Sequence, residues 1–535
     1  MAGSRFISGI GPTPFKIDAV RELLDGLDPT VHSTIPSPGD EDLAEVAGES
    51  VHPTNFETVS SYNWVYGPGK RLKIIVPGYP ACWNPPPAPT KLPGDIGFRF
   101  IHQNEYFSPG TPLRPLLRAV YTHQPSFNVN EVDFITDRNS LIKLFKFARG
   151  DTTLNMVAPP ISPTSPTSPT SPPKNTSAPL TPPTSPTSSW AIGSPPKEGS
   201  WRDRHPPSHG GGLRGRVRGG STAGPRGRGD GRYIRGQWSP NYHYEPPTIQ
   251  ETRIDVDLVN NSLLLSRWET HSSEMVHPGQ FKGWGYQFLG AYTRFGEAGE
   301  DAVMDGGELQ SHHRVITYDF GGKKFLVRFH GDAVQEGLGE FRWWAEKHRK
   351  GRKEQETAAT SDVKEKSGKS QSSPGKKADD WLEKEFAEGL SKLTLNNISA
   401  TNAIESHPTI TPLYPHSSIV GIRTTSAKNR AVTMARALPQ AFFSQTPHLY
   451  IGCQEAGLFR KIDKIETEVP LHEWEVENDA ALRKLLVLLV RIKDTLRGIE
   501  GGQASVVFKL GGEMCVYARN DGREPVPGDL RAKWD

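Results

Sequence analysis

The chain predicts an α+β protein built on a mixed β-sheet core, with flanking helices and long insertions outside that core. Three observations carry this expectation. Short runs of alternating or continuous apolar residues recur from residue 57 onward, several of them joined by Asn-Asn or Gly-Gly pairs that suit tight hairpins. Segments with apolar residues at helical spacing are interspersed among these runs. Twice the composition breaks into Ser/Thr/Pro, Arg/Gly or Lys-rich sequence that offers no apolar face to bury.

Composition agrees with an interrupted core. Of 535 residues only 35% are hydrophobic, and 47 prolines and 53 glycines punctuate the rest. The ordered stretches are too short to stand alone, so they are read as one core of about 300 residues.

Residues 1–54 read as a flexible N-terminal segment with one short helix at 17–26. The first part of the core covers 55–154. ETVSSYNWVY and KRLKIIVPG read as strands there, and CWNPPPAPTKLPG as an extended loop, because proline fixes φ and lacks a donor. RNSLIKLFKFA reads as a helix with Asp137 as its cap and Gly150 as its stop. Residues 155–246 form a disordered Ser/Thr/Pro-rich and Arg/Gly-rich insertion. The core continues over 247–345, with one hairpin turning at Asn260-Asn261 and a second at Gly321-Gly322 that leads into KKFLVRFHGDAV. Residues 346–400 are a Lys-rich insertion with a helix over ADDWLEKEFAEGLSKL. Residues 401–535 complete the core. They hold the strand SSIVGIRTT, a short helix feeding a hairpin, a long helix with Asn478 as cap, and a last hairpin through Gly511-Gly512.

Three scattered cysteines, Cys82, Cys453 and Cys515, argue against a disulfide framework and a Cys-x-x-Cys zinc site. No apolar run reaches the length of a membrane span, and the N-terminus lacks the apolar core of a secretory signal. The expected setting is intracellular, in nucleus or cytoplasm, without a membrane partner. KHRKGRK (347–353) reads as a nuclear import signal or as a solvated Lys-rich loop.

The net charge is only +3, so basic character is local. Arg214, Arg216, Arg218, Arg226, Arg228, Arg232 and Arg235 stand among glycines, with Tyr233 adding a π face. Such a segment suits RNA: glycine lets the backbone follow a strand, while arginine binds phosphate and stacks on bases. Four or five phosphate contacts would give a log–log salt slope of about −3 on single strands. A spacer carrying arginine methylation sites is the other reading. Ser162, Ser165, Ser168, Ser171 and Ser185 each precede proline and suit proline-directed kinases. Phosphates there would bring negative charge beside the arginines and form a switch over RNA affinity, unless the segment is a passive linker.

In KKFLVRFHGDAV, His330 and Asp332 fall where plain strand residues would be expected. They read as the remnant of a metal site, as an altered working site, or as an ordinary strand end. His312 and His313 are adjacent on a strand and face opposite sides, which argues against a shared ion.

TDRNSLIKL (136–144), GWGYQFLGAYT (283–293), KKFLVRFHGDAV (323–334), SSIVGIRTT (417–425) and FFSQTPHLYIG (442–452), in that order, resemble the decapping exoribonuclease family. The resemblance implies a PD-(D/E)XK-like nuclease core acting on RNA 5′ ends with magnesium or manganese. It assigns Arg138 to RNA or its 5′ phosphate and matches Gln445 to a family glutamine. It also shows what is missing. Leu289 stands where the family has a glutamate, His330-x-Asp332 replaces Glu-x-Asp, and Gly421-x-Arg423 replaces Glu-x-Lys. Three of four carboxylates are gone under this match. Asp332 alone would hold an ion weakly, and Arg423 cannot readily lose a proton to serve as a base. Arg138 has a plainer reading, an ion pair with Asp133 or Asp137, and Gln445 has one too, as a partner for backbone groups at a helix end.

More closely, the chain resembles fungal proteins often labelled geranylgeranyl pyrophosphate synthetase. Prenyl transfer needs two Asp-rich clusters on facing helices, whereas Asp379-Asp380-Trp-Leu-Glu383 occurs once and reads as a solvated helix start. The resulting expectation is a non-catalytic RNA-binding or interaction protein without a cofactor. The alternative is an active metal-dependent RNA 5′-end hydrolase using magnesium or manganese.

Overall fold

A computed structural model describes residues 20–66, 72–152, 251–278, 280, 283–296, 308–335, 404–408, 413–524 and 526–534. All of them fall in one compact unit formed by 1–160 and 247–535; the second unit, 161–246, lies outside the described residues.

In chain order the unit begins with strands β1 (Leu27–Ile35), β2 (Thr54–Tyr66), β3 (Leu72–Val76), β4 (Cys82–Trp83), β5 (Thr90–Lys91) and β6 (Gly97–Phe100). Helices α1 (Gln103–Phe107) and α2 (Arg114–His123) lead to β7 (Phe134–Asp137), which runs directly into α3 (Arg138–Ala148). Then come β8 (Thr252–Val259), β9 (Ser262–Arg267), β10 (Ser273–Val276), α4 (Gly285–Tyr292), β11 (Thr293–Arg294), β12 (Glu308–Phe320), β13 (Lys323–Gly331), β14 (Ala333–Val334) and β15 (Glu405–Pro408). The last part holds β16 (Ile419–Ser426), α5 (Arg430–Ser444), β17 (His448–Glu455), β18 (Leu458–Glu466), α6 (Glu468–Arg497), β19 (Gln503–Phe508), β20 (Met514–Arg519) and α7 (Gly528–Arg531).

Among the described residues an eleven-stranded sheet runs β1-β20-β19-β8-β9-β7-β13-β12-β2-β3-β15, and a seven-stranded sheet runs β11-β4-β14-β16-β17-β18-β5. Both mix directions. β7 is parallel to β9 and β13, and β16 is parallel to β17, while most other pairs are antiparallel. The expected α+β class with a mixed sheet is therefore the observed one.

Period-two alternation sends the larger sheet's side chains into two cores. Phe134, Phe325 and Val327 join Leu141, Leu144, Phe442, Leu485 and Leu489 from α3, α5 and α6 on one face. Ile135 and Leu326 join Leu116, Leu117 and Val120 of α2 on the other. A strand covered on both faces carries few charges, which makes Arg328 on β13 conspicuous. The hairpins turn where expected: Asn260 has φ 52°, and Gly321 and Gly322 have φ 59° and 66°.

Three expectations need correction. Leu27–Ile35, expected in a flexible segment, pairs antiparallel with β20. Only its end residues are buried, so LDPTVHSTI has no alternation to announce a strand. The described residues 20–26 are turn and irregular backbone in place of the expected helix. The long helix starts at Glu468 and not after Asn478, whose Nδ2 donates to Trp474 O (2.7 Å) inside it. Pro470 hid that start, since proline is tolerated in a first turn, where its missing N–H has no intrahelical partner.

Candidate functional site

A cleft of about 410 Å³ opens where the chain crosses from the larger sheet to the smaller one, between β13 and β14. Its walls come from α1, the start of α3, α4, β13 and β16.

Strand register builds the floor. The parallel pairing of β7 and β13 sets Arg328 opposite Asp137. Arg328 Nε donates to Asp137 Oδ1 (2.7 Å) and its terminal nitrogen to Oδ2 (2.8 Å). The other terminal nitrogen donates to Pro112 O (2.6 Å) and Tyr62 Oη (3.2 Å). Burial alone would raise the Asp137 carboxyl, but the Arg328 charge and the nearby His102 outweigh it and hold it well below the usual range. Asp137 occupies the cap position of α3, yet its side chain makes no cap hydrogen bond and serves Arg328.

Antiparallel pairing of β12 and β13 places His313 beside His330, with ring centroids 5.8 Å apart. Burial, reinforced by neighbouring positive charge, pushes His313 well below an ordinary imidazole, so it is neutral at physiological pH. It stacks on Tyr62 (4.8 Å) and its Nε2 lies 3.1 Å from Gln103 Oε1. His312 points to the opposite side, toward Asn63 Oδ1 (3.1 Å), as strand geometry requires.

At the crossing, Asp332 uses both carboxylate oxygens. Oδ1 meets His330 Nδ1 (3.0 Å), and Oδ2 accepts from the Ile422 amide (2.8 Å) and from Arg423 (2.9 Å). Burial would raise this carboxyl as well, but His330, Arg423 and the amide together hold it well below the usual range. Arg423 is further held by Ile422 O (2.5 Å) and the side chain of Gln440.

Arg138 differs from its neighbours. Its guanidinium lies over Phe329 (5.7 Å), and its one hydrogen bond, to Ser444 Oγ, is long at 3.5 Å. Its buried Nε has no partner, and among the described residues no carboxylate comes within ion-pair distance. Asp133 is taken by Lys493 (3.0 Å) and the Lys324 amide (3.2 Å), and Asp137 by Arg328, so neither gives the expected ion pair. Burial, with the Arg423 charge adding, pushes Arg138 down to about 10 against the more distant attraction of Asp332 and Asp137.

Arg138, Leu289, His330, Asp332 and Arg423 thus line one cleft. Gly421 lies beside Ile422 on β16 outside the lining, and a Cβ there would make only ordinary contacts, 3.6 Å from Leu449 at the nearest. Gln445 does not reach the cleft. It ends α5 at φ 49°, its Nε2 donates to Phe442 O (2.6 Å), and its carbonyl accepts from His416 (2.6 Å). The sequence reading named Asp137 only as a cap or an ion-pair partner of Arg138 and His313 only to argue against a shared ion, and it missed Arg267, Arg328, His102 and Tyr286. Arg328 left one usable signal, a charge inside the apolar run Phe325–Phe329 of β13.

Four arginines (138, 267, 328 and 423) face two aspartates (137 and 332) in this lining, and both aspartates are held by guanidinium groups. A divalent ion wants about six oxygen ligands, with at least one or two carboxylates free to bind it. Leu289 and Gly421 offer no side-chain oxygen, and among the described residues no group of three or more His, Cys, Asp or Glu is placed to hold a metal. The residues present do not fit the magnesium or manganese that the family resemblance implies. The arginines of 214–235, the serines of 162–185, the basic run 347–353 and Asp379–Glu383 all lie outside the described residues.

Among solved structures the chain is similar to S. pombe Rai1 in complex with 3′-FADP, at 11% identity over 89% of this chain and 97% of that one, with a TM-score of 0.40. It is similar to Candida albicans Rai1 in complex with pU5-Mn2+ (8% identity, 94% and 99% covered, TM-score 0.43). It is also similar to K. lactis Dxo1 in complex with manganese (6% identity, 92% and 96% covered, TM-score 0.38). Likeness at that level carries no argument about what this chain binds or does. A comparison with curated proteins gives no match. The family model "Domain of unknown function (DUF8563)" matches residues 45–157, 247–372 and 369–534, well over half of the chain, and the chain belongs to that family.

Proposed function

We propose that this protein binds RNA through the cationic cleft, takes a phosphate of the RNA at Arg138, and performs no metal-dependent cleavage. One observation carries the reading: among the described residues the half-buried Arg138 guanidinium has an unpartnered Nε and no carboxylate within ion-pair distance, Asp332 and Asp137 attracting it only from farther off. Burying a charge without a partner is costly, so such a group is best explained by an anion that completes it. Arginine suits phosphate through its planar fork of donors. Arg423 stands nearby as a second cation, already oriented by Asp332 and Gln440. The arginine-glycine segment would add sequence-independent affinity, sensitive to salt and to phosphorylation of the preceding serines.

The test is fluorescence anisotropy with a labelled RNA pentamer bearing a 5′ phosphate or a 5′ hydroxyl, in EDTA and in manganese. The expected result is binding of the phosphorylated RNA in EDTA, weakened about 10- to 100-fold by Arg138→Ala. Manganese-dependent shortening of the RNA, abolished by Asp332→Ala, would overturn the reading in favour of a hydrolase.

A further inference from the structure

Another part of the cleft lining has unmet hydrogen-bonding capacity. α1 and the residue before it bring His102 and Gln103 to the lining, only 5% and 7% exposed. Among the described residues, His102 Nδ1 and Gln103 Nε2 are buried without a partner. Other groups around them are satisfied. Tyr62 Oη and Trp64 Nε1 both donate to Asn104 Oδ1 (2.7 and 2.9 Å), which fixes α1 in place. His313 occupies the Gln103 oxygen. Turning the amide over would leave its oxygen unmet in place of its nitrogen, so Gln103 keeps one open position either way. Buried polar groups in native proteins are nearly always satisfied, so orphans lining a cleft point to a ligand or an ordered water.

An aromatic surface adjoins this wall. Tyr286 on α4 donates to Phe100 O (3.2 Å), one residue from Ile101 and two from His102, and stays 48% exposed. The Arg99 guanidinium lies 5.6 Å from its ring. Exposed aromatic rings beside cationic grooves are stacking platforms for bases. The cleft volume, about 410 Å³, suits one nucleotide unit and little more.

We infer that the cleft has a nucleobase subsite, in which a base stacks on Tyr286 and its polar edge meets Gln103 and His102. The inference rests on the anion reading above, and makes the ligand a nucleotide in which base and phosphate are both recognised. Arg138 holds the phosphate and contributes equally to every ligand that carries one. Gln103 and Tyr286 act on the base alone and set the preference for a nucleotide over a bare sugar phosphate.

Calorimetric titration of the full chain with AMP, CMP, GMP, UMP and ribose 5-phosphate tests this. The expected result is that at least one mononucleotide binds about tenfold or more tighter than ribose 5-phosphate. Gln103→Leu should narrow the differences among bases, and Tyr286→Ala should weaken all four nucleotides. Both should leave ribose 5-phosphate unchanged within about twofold. Tyr286 is exposed, so its variant keeps the test valid should Gln103→Leu unfold the chain. If ribose 5-phosphate binds and no nucleotide binds more tightly, or neither variant alters the difference, the base subsite falls and the anion reading stands. If neither ribose 5-phosphate nor any nucleotide binds, both fall.

Discussion

Replacing Arg138 by methionine should raise the stability of the ligand-free protein and abolish its affinity for phosphate. The two effects have opposite signs and one cause. Burial, with Arg423 adding and Asp332 and Asp137 opposing, moves Arg138 from 12.5 to about 10. At about 1.4 kcal/mol per pKa unit, the loss of hydration is worth up to about 3 kcal/mol. The Phe329 face and the long Ser444 bond return part of it, leaving an expected net cost of about 1 kcal/mol. The depressed pKa still lies far above neutrality, so the folded state carries this cost at every pH below about 10 and is relieved of it only toward 12.5. Methionine preserves much of the contact with Phe329 and removes the charge. The expected gain is about 1–2 °C in Tm by differential scanning calorimetry at pH 7.5. The same variant should lose at least about tenfold in affinity for a 5′-phosphorylated pentamer. A Tm drop of several degrees would show that Arg138 is structural, and the anion argument would lose its basis.

Asp332→Asn should tighten phosphate binding about fivefold, because it removes a negative charge beside Arg423 while Ile422 O and Gln440 still hold that side chain; a metal ligand would respond with loss of binding, which anisotropy with and without manganese would detect. Arg328→Met should destabilise the fold by about 3–5 kcal/mol in urea titration, since it strands the buried Asp137 carboxylate. Asp257, buried on β8 beside Arg519 (2.8 Å), is pushed up to about 7, chiefly by burial, with Asp255 and Asp521 adding to what Arg519 offsets only in part. A raised carboxyl favours the protonated folded state, so its contribution is complete below about pH 4 and fades as pH rises through about 7. Asp257→Asn should therefore raise Tm relative to the parent clearly more at pH 8 than at pH 4, where both states of the parent carry the proton; an equal shift at both would contradict the titration.

The larger sheet was legible wherever turn chemistry and patterning agreed. Asn260-Asn261 and Gly321-Gly322 announced their hairpins because left-handed backbone is available there at low cost. β1 was illegible because its central residues are exposed and only its ends are buried. The start of α6 was illegible because Pro470 reads as a breaker unless its place in the first turn is known. Within the site, Arg138, His330, Asp332 and Arg423 were found by resemblance, since chain separation hides that they share a cleft. Asp137 reads from the sequence as a cap or as a partner of Arg138, and not as the partner of Arg328, because that pairing depends on the parallel register of β7 and β13, which no local pattern encodes.

That register also bears on the charge balance of the cleft. A site for divalent cations must leave carboxylate oxygens open, and it tolerates few fixed positive charges beside them. Here Arg328 occupies one carboxylate and Arg423 the other. Among the described residues Arg138 then has no carboxylate within ion-pair distance and feels Asp332 and Asp137 only from farther off. The same pocket cannot hold a bare divalent ion strongly and also keep an unpaired guanidinium within it, because each raises the electrostatic cost of the other. Occupied carboxylates and a spare arginine are therefore one feature: both weaken the lining as a cation site, and the proposed phosphate contact depends on both.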